Sequence, residues 1–115
     1  MKKPLSLTNR AQYTLVYRQG RVWVTSLLVM KAMPNGLKLT RYGFSVTKKV
    51  GKAVQRNRLK RLLREIMRLQ SLKKGWDIVI IARPAVVYAD YHQLEQEVTK
   101  LLYRAKLLGN NECAN

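Results

Sequence analysis

Hydrophobic positions along this chain recur with two periods, and the places where the period changes mark its elements. Tyr13, Val16 and Tyr17 fall at i, i+3 and i+4, the spacing of an amphipathic helix. Thr8 or Asn9 can cap that helix, and Gly20 is a natural stop. From Val22 to Lys31 the chain is β-branched and apolar, which predicts a strand. Pro34-Asn35-Gly36 is a turn signal, and Asn-Gly favours a tight hairpin. Residues 37–47 then alternate, Leu37 and Leu39 first, Tyr42, Phe44 and Val46 after. The phase slips between Leu39 and Tyr42, so a bulge or a break into two strands is expected.

The period turns helical again from about Ala53 to Leu72. At roughly 100° per residue, Leu59, Leu62, Leu63, Ile66 and Leu69 fall within an arc of about 120°. Arg56, Asn57, Lys60, Arg61, Arg64 and Arg68 fall in another arc, about 140° wide and nearly opposite. One face is set to pack on the protein, and the other presents cations one turn apart. Gly75 follows as a breaker, and Trp76–Ala82 is a near-continuous apolar strand, as expected for a central strand or one covered on both faces. Asp90 with Gln93 resembles a capping box, and Leu94, Val98, Leu101, Leu102 and Ala105 form the stripe of a last helix stopping at Gly109. The order α-β-β(-β)-α-β-α, with no repeat or linker, predicts a single small α+β domain over residues 1–115.

Composition changes the picture mainly through charge. The 115 residues carry 23 Lys and Arg against 6 Asp and Glu, a net charge of +17. Residues 48–74 alone hold eleven of those cations and one acid, Glu65. Cations this dense on one element repel one another, and a polyanion relieves the repulsion, so nucleic acid is the partner the sequence implies. No apolar h-region follows the basic start, and the longest apolar run, Ile78–Ala82, is too short to span a bilayer. That predicts a cytoplasmic protein without a membrane partner.

Groups able to do chemistry are few. His92 is the only histidine and Cys113 the only cysteine, so there is no internal disulfide and no cysteine-based zinc cluster. No carboxylates pair at the spacing a two-metal nuclease needs, and Gly43 and Gly51 fit no phosphate loop. No catalytic residue and no metal ligand is therefore expected in this chain. Guanidiniums one turn apart suit phosphates. Asn57 adds an amide able to read a base edge or a ribose hydroxyl. Tyr13 and Tyr17 offer rings for base stacking, or for the core. A structural RNA-binding protein of the ribosomal type fits charge, size and helix equally well. A helix-turn-helix DNA binder fits less well, because the basic helix lies between two strands.

The stretch Phe44-Ser45-Val46-Thr47-Lys48-Lys49-Val50-Gly51-Lys52-Ala53-Val54-Gln55-Arg56-Asn57-Arg58-Leu59-Lys60-Arg61-Leu62-Leu63-Arg64-Glu65 closely resembles the signature of the bacterial ribonuclease P protein component. Gln12–Gly20 resembles that family's first helix, with two aromatics four residues apart. Asp77–Arg83 resembles its strand after the basic helix, and Leu101–Arg104 its last helix. The likeness covers about residues 5–108. It implies a two-layer αβββαβα sandwich with a left-handed β-α-β crossover. It also implies a subunit of an endoribonuclease whose RNA subunit, with magnesium held mainly by that RNA, removes the 5′ leader of precursor tRNA. By the same resemblance Arg56, Asn57, Arg58, Lys60, Arg61, Arg64 and Arg68 touch the catalytic RNA. Tyr13, Tyr17, Ser45, Lys48 and Lys49 touch the leader. No protein partner is implied. The first strand departs from the family pattern, with Met30 and Lys31 where some members place an aromatic.

Overall fold

The computed structural model of the chain describes residues 5–7 and 9–108; Thr8, Gly109 and Cys113 lie outside them. Helix α1 is Arg10–Gln19, entered through Asn9, whose side chain accepts from the Gln12 N–H at 2.9 Å while Gln12 Oε1 accepts from the Asn9 N–H at 3.4 Å. That reciprocal box satisfies two donors the first turn leaves free. The helix closes where expected, with the Gly20 N–H bonded to the Val16 carbonyl. Short strand β1 (Leu5–Ser6) precedes it, and β2 (Arg21–Val24), β3 (Leu28–Pro34) and β4 (Arg41–Ser45) follow. Then come α2 (Ala53–Arg68), β5 (Trp76–Ala82), a 3-10 turn (Pro84–Tyr88) and α3 (Tyr91–Arg104).

The five strands form one mixed sheet in the order β1-β4-β5-β3-β2. β4 runs parallel to both β1 and β5, whereas β3 is antiparallel to both β5 and β2. Two expectations change here. The run read as one strand from Val22 to Lys31 is a hairpin, broken where the Thr25 N–H bonds the Leu28 carbonyl at 2.8 Å. The Asn35-Gly36 turn joins β3 to β4, but β5 lies between those strands, so it is no hairpin of paired neighbours. Asn35 is held by other work: its backbone N–H bonds Gly75 O, and its side chain accepts from the Leu37 N–H and donates to Asp77. The phase slip between Leu39 and Tyr42 is the break at which this loop ends and β4 begins.

The main core lies between one sheet face and the helices α2 and α3, with Met30, Tyr42, Ile78 and Ile80 from the sheet meeting Leu63, Ile66, Leu101 and Leu102. α1 lies on the other face, where Val16 and Leu7 meet Val79 in a satellite core. The expected α+β class and the order of elements from α1 to α3 hold, with β1 added at the sheet edge, and α1 covers one sheet face while α2 and α3 cover the other. The cause is β5, which is apolar at every position from Ile78 to Ile81 and needs cover on both sides. Two helix ends also shift. α2 stops at Arg68, with Leu69 as its C-cap and 60% exposed, while Met67, outside the anticipated stripe, is buried. α3 stops at Arg104, because Lys106 turns left-handed at φ 59° and the Leu107 N–H closes on the Leu102 carbonyl at 2.9 Å.

The crossover from β4 through α2 to β5 has the uncommon hand. With α2 toward the viewer and β4 running upward, the Tyr42 side chain points forward into the α2 core. For an L-residue so placed, its own carbonyl points right. That carbonyl accepts the Leu7 N–H at 2.9 Å, so β1 is on the right and β5 on the left. A path that crosses in front and moves left is left-handed, against the usual rule.

Candidate nucleic-acid interface

The loop from β4 into α2 is a tight turn, with the Val50 N–H on Thr47 O at 3.0 Å and the Gly51 N–H on Lys48 O at 3.3 Å. Val50 anchors it in the core, which leaves Lys48 and Lys49 exposed. Lys52 caps α2, and its N–H bonds Gln55 Oε1 at 2.8 Å. Asn57 lies within the helix, past its first turn. It stands exposed on the helix with Arg58, Arg61, Arg64 and Arg68, while Arg56 and Lys60 are half-buried. Arg68 differs from the others because Glu65 holds it at 2.8 Å, and the carboxylate raises its pKa. The remaining cations of the face have no ion pair among the described residues.

On the other face, α1 sets its two tyrosines differently. Tyr13 is half-buried against Leu7, Val16 and Val79. Its ring passes over Gly43, where a Cβ would lie 2.1 Å from the phenol oxygen, and its hydroxyl is hydrogen-bonded by the backbone of Phe44. Burial pushes this phenol's pKa up, and the Phe44 bond opposes the rise. Tyr17, one turn on, is 37% exposed, its ring centroid 6.4 Å from that of Tyr13. Lys31, on β3, places its ammonium 5.5 Å from the Tyr17 ring centre and donates to the Tyr17 carbonyl at 3.3 Å. Lys31 pairs across the sheet with Val22, which is 54% exposed, so a strip of open apolar sheet continues from the tyrosines toward β2.

The two faces meet at the sheet edge. A notch of about 140 Å³ has Tyr13, Gly43 and Phe44 on one side and Lys60 and Arg64 on the other. Tyr42 lies beneath it, 5.6 Å from the Phe44 ring. Burial raises the Tyr42 pKa, opposed by Arg64 and Arg68. Two groups of residues assigned to different RNAs in the sequence thus share one opening. Ser45 ends β4 half-buried, just before the lysine turn. Lys31, Gly43 and Tyr42 escaped the sequence reading as site residues. The signal for Lys31 was the alternation Val29-Lys31-Met33, which puts a lone ammonium on the α1 face.

Carboxylates offer little to a metal ion. No three of His, Cys, Asp and Glu gather among the described residues. The buried Asp77 is occupied, receiving Arg41 through two bonds at 2.7 and 2.8 Å and Asn35 at 2.9 Å. Asp77, so occupied, is a poor ligand for magnesium. No helix among the described residues is long and apolar enough to cross a membrane.

A cationic helix on one side of a mixed sheet and an aromatic, partly apolar groove on the other define a small RNA-binding protein. Comparison with known proteins narrows the class. A sequence model described as Ribonuclease P matches residues 1–106. A ribonuclease P protein component of Dehalococcoides mccartyi is 48% identical over 109 residues, covering 95% of this chain and 91% of the relative. One from Caldanaerobacter subterraneus is 41% identical over 113 residues, covering 96% and 97%. Among solved structures, the Staphylococcus aureus RNase P protein superposes with a TM-score of 0.85 at 27% identity, covering 93% of this chain and 100% of that one. The Thermotoga maritima RNase P protein does so at 0.80 and 32%, covering 86% and 96%. The chain belongs to the ribonuclease P protein family.

Proposed function

We propose that this ribonuclease P protein component acts as an RNA clamp with two faces, one for the catalytic RNA and one for the 5′ leader of precursor tRNA. Family membership makes it a subunit of an endoribonuclease that acts with an RNA subunit in tRNA 5′ maturation. The finer assignments are the proposal. The exposed guanidiniums of α2, Arg58, Arg61 and Arg64 foremost, dock on the RNA subunit with Arg56, Asn57, Lys60 and Arg68 beside them. The groove of Tyr13, Tyr17 and Ser45, flanked by Lys48 and Lys49, takes the unpaired leader. The RNA subunit does the chemistry and holds the magnesium, a reading supported by the lack of any cluster of three His, Cys, Asp or Glu among the described residues and by the engagement of Asp77 with Arg41. A cytoplasmic site of action belongs to the same proposal. The observation that carries the reading is the notch, where Tyr13 and the Lys60/Arg64 pair border one opening. A nucleotide there lies between the two RNAs.

Reconstitution with a bacterial RNase P RNA and precursor tRNA at low magnesium tests it. The protein should stimulate 5′ cleavage and produce none alone. Arg61→Ala should weaken binding to the RNA subunit by about 1–3 kcal/mol, the scale of a charge-assisted bond, and flatten the dependence of log K on log salt. Tyr17→Ala should weaken precursor binding by about 1–3 kcal/mol, the scale of one stacked base, and spare mature tRNA. Cleavage by protein alone, or equal losses on both tRNAs, would overturn the respective half.

A further inference from the structure

Tyr88 closes the 3-10 turn after β5 and is 90% exposed, more than any other large apolar side chain among the described residues. Its backbone is nevertheless fixed on both sides. Pro84 opens the turn, Val86 is buried in the main core, and the Val86 and Ala89 N–H groups bond Arg83 O and Val86 O at 2.9 and 3.0 Å. A ring presented from a pinned turn loses little freedom on binding, which is the economy of preorganisation. The residues flanking it, Val87 and Ala89, border one shallow cleft with Gln55 and Arg58 at the start of α2. Arg83, exposed at the head of the turn, adds a second cation and is steadied by its 3.1 Å bond to Thr25 O. The nearest acid in sequence, Asp90, is taken up capping α3 through the Gln93 N–H at 2.9 Å.

Tyr103 offers a contrast. It is 74% exposed on the outer side of α3, but its groove is shared with Glu95 and Lys100, so no cationic field gathers there. An exposed ring on the sheet face that carries the guanidiniums of α2 suits a single-stranded base whose phosphates such cations neutralise.

We propose that Tyr88 is an RNA contact beyond α2, stacking on an unpaired base of the RNA subunit beside Arg58. The inference rests on the α2 docking reading. It commits to the RNA subunit because the turn packs on the same side of the sheet as α2, away from the tyrosine groove of α1.

Equilibrium binding of the full chain to RNase P RNA tests it with four variants. Tyr88→Ala should lose roughly 5- to 100-fold in affinity, with unchanged melting and an unchanged salt slope, since no charge is removed. Tyr88→Phe should bind like the parent, because the ring and not the hydroxyl is used. Tyr103→Ala should bind like the parent as well. Arg61→Ala is the internal standard. If it binds weakly while Tyr88→Ala binds like the parent, the Tyr88 assignment falls and the docking face stands. If Arg61→Ala also binds like the parent, the docking face itself is wrong. A Tyr88→Phe loss equal to that of Tyr88→Ala would also overturn the stacking assignment.

Discussion

Gly43 is where the groove depends most on one missing atom. Its backbone must come close enough for the Tyr13 hydroxyl to reach Phe44, and a methyl there would meet the phenol at 2.1 Å. Gly43→Ala should therefore push Tyr13 off the sheet and destabilise the fold by about 1–3 kcal/mol, the usual cost of overpacking. A denaturant titration reads the loss. Tyr13 and Tyr42 also give stability an alkaline limit. Burial raises both phenols above the ordinary 10.0, so the fold resists an ionisation that the unfolded chain undergoes more readily. Their contribution is whole below pH 10.0 and is lost as pH climbs through the raised values. Tyr13→Phe should lessen the alkaline fall in melting temperature. At this scale the sequence was half legible. The spacing of Tyr13 and Tyr17 put both rings on one face, but it could not divide them into a ring tied to β4 and a ring open to solvent. That division follows from Gly43, thirty residues away in sequence, and no periodicity links the two.

Among the elements, α2 shows how far a helical period can be trusted. Leu59, Leu63 and Ile66 are buried as their spacing requires, and Leu62 is partly so. The ends of the stripe failed, with Leu69 exposed and Met67 buried, because the true core face is turned toward Met67. Arg56 and Lys60 border that face, which is why they are half-buried beside their exposed neighbours. Leu63→Ala should cost about 2–5 kcal/mol through transfer and cavity terms. Leu69→Ala should stay within about 0.5 kcal/mol, as surface changes do. Thermal melts of the pair decide whether the helix is seated as described. Capping chemistry was a dependable local signal: Asn9, one of two candidates, starts the first helix and Asp90 with Gln93 the last. Strand pairing was not legible. Asn35-Gly36 is strong hairpin chemistry, yet β3 and β4 never pair, because β5 is the more apolar strand and takes the place between them.

Over the whole molecule, the +17 charge was a sound guide to partner class and silent about shape. The hand of the crossover is a property of the entire sheet, and only likeness to a known family anticipated it. The same strand order has a consequence for how the chain must be made. Synthesis proceeds from the N-terminus, and β3 and β4 emerge well before the strand that separates them. Until residues 76–82 arrive, two apolar strand edges stand open, and α2 has only half a floor to lie on. A chain ended at Gly75 should thus show no cooperative melt, and the full chain, whose central strand pairs with segments distant in sequence, should refold in the slower range of mixed α/β domains. Circular dichroism of the truncated chain and stopped-flow refolding of the whole one are the measurements. An intact melt at Gly75 would refute the idea. During that interval the protein is a nascent basic chain beside ribosomal RNA, with its most cationic helix made and its sheet unfinished. An arrest that prolongs the interval should leave open strand edges on a polycation, so the position of one strand ties the folding of this protein to the timing of translation.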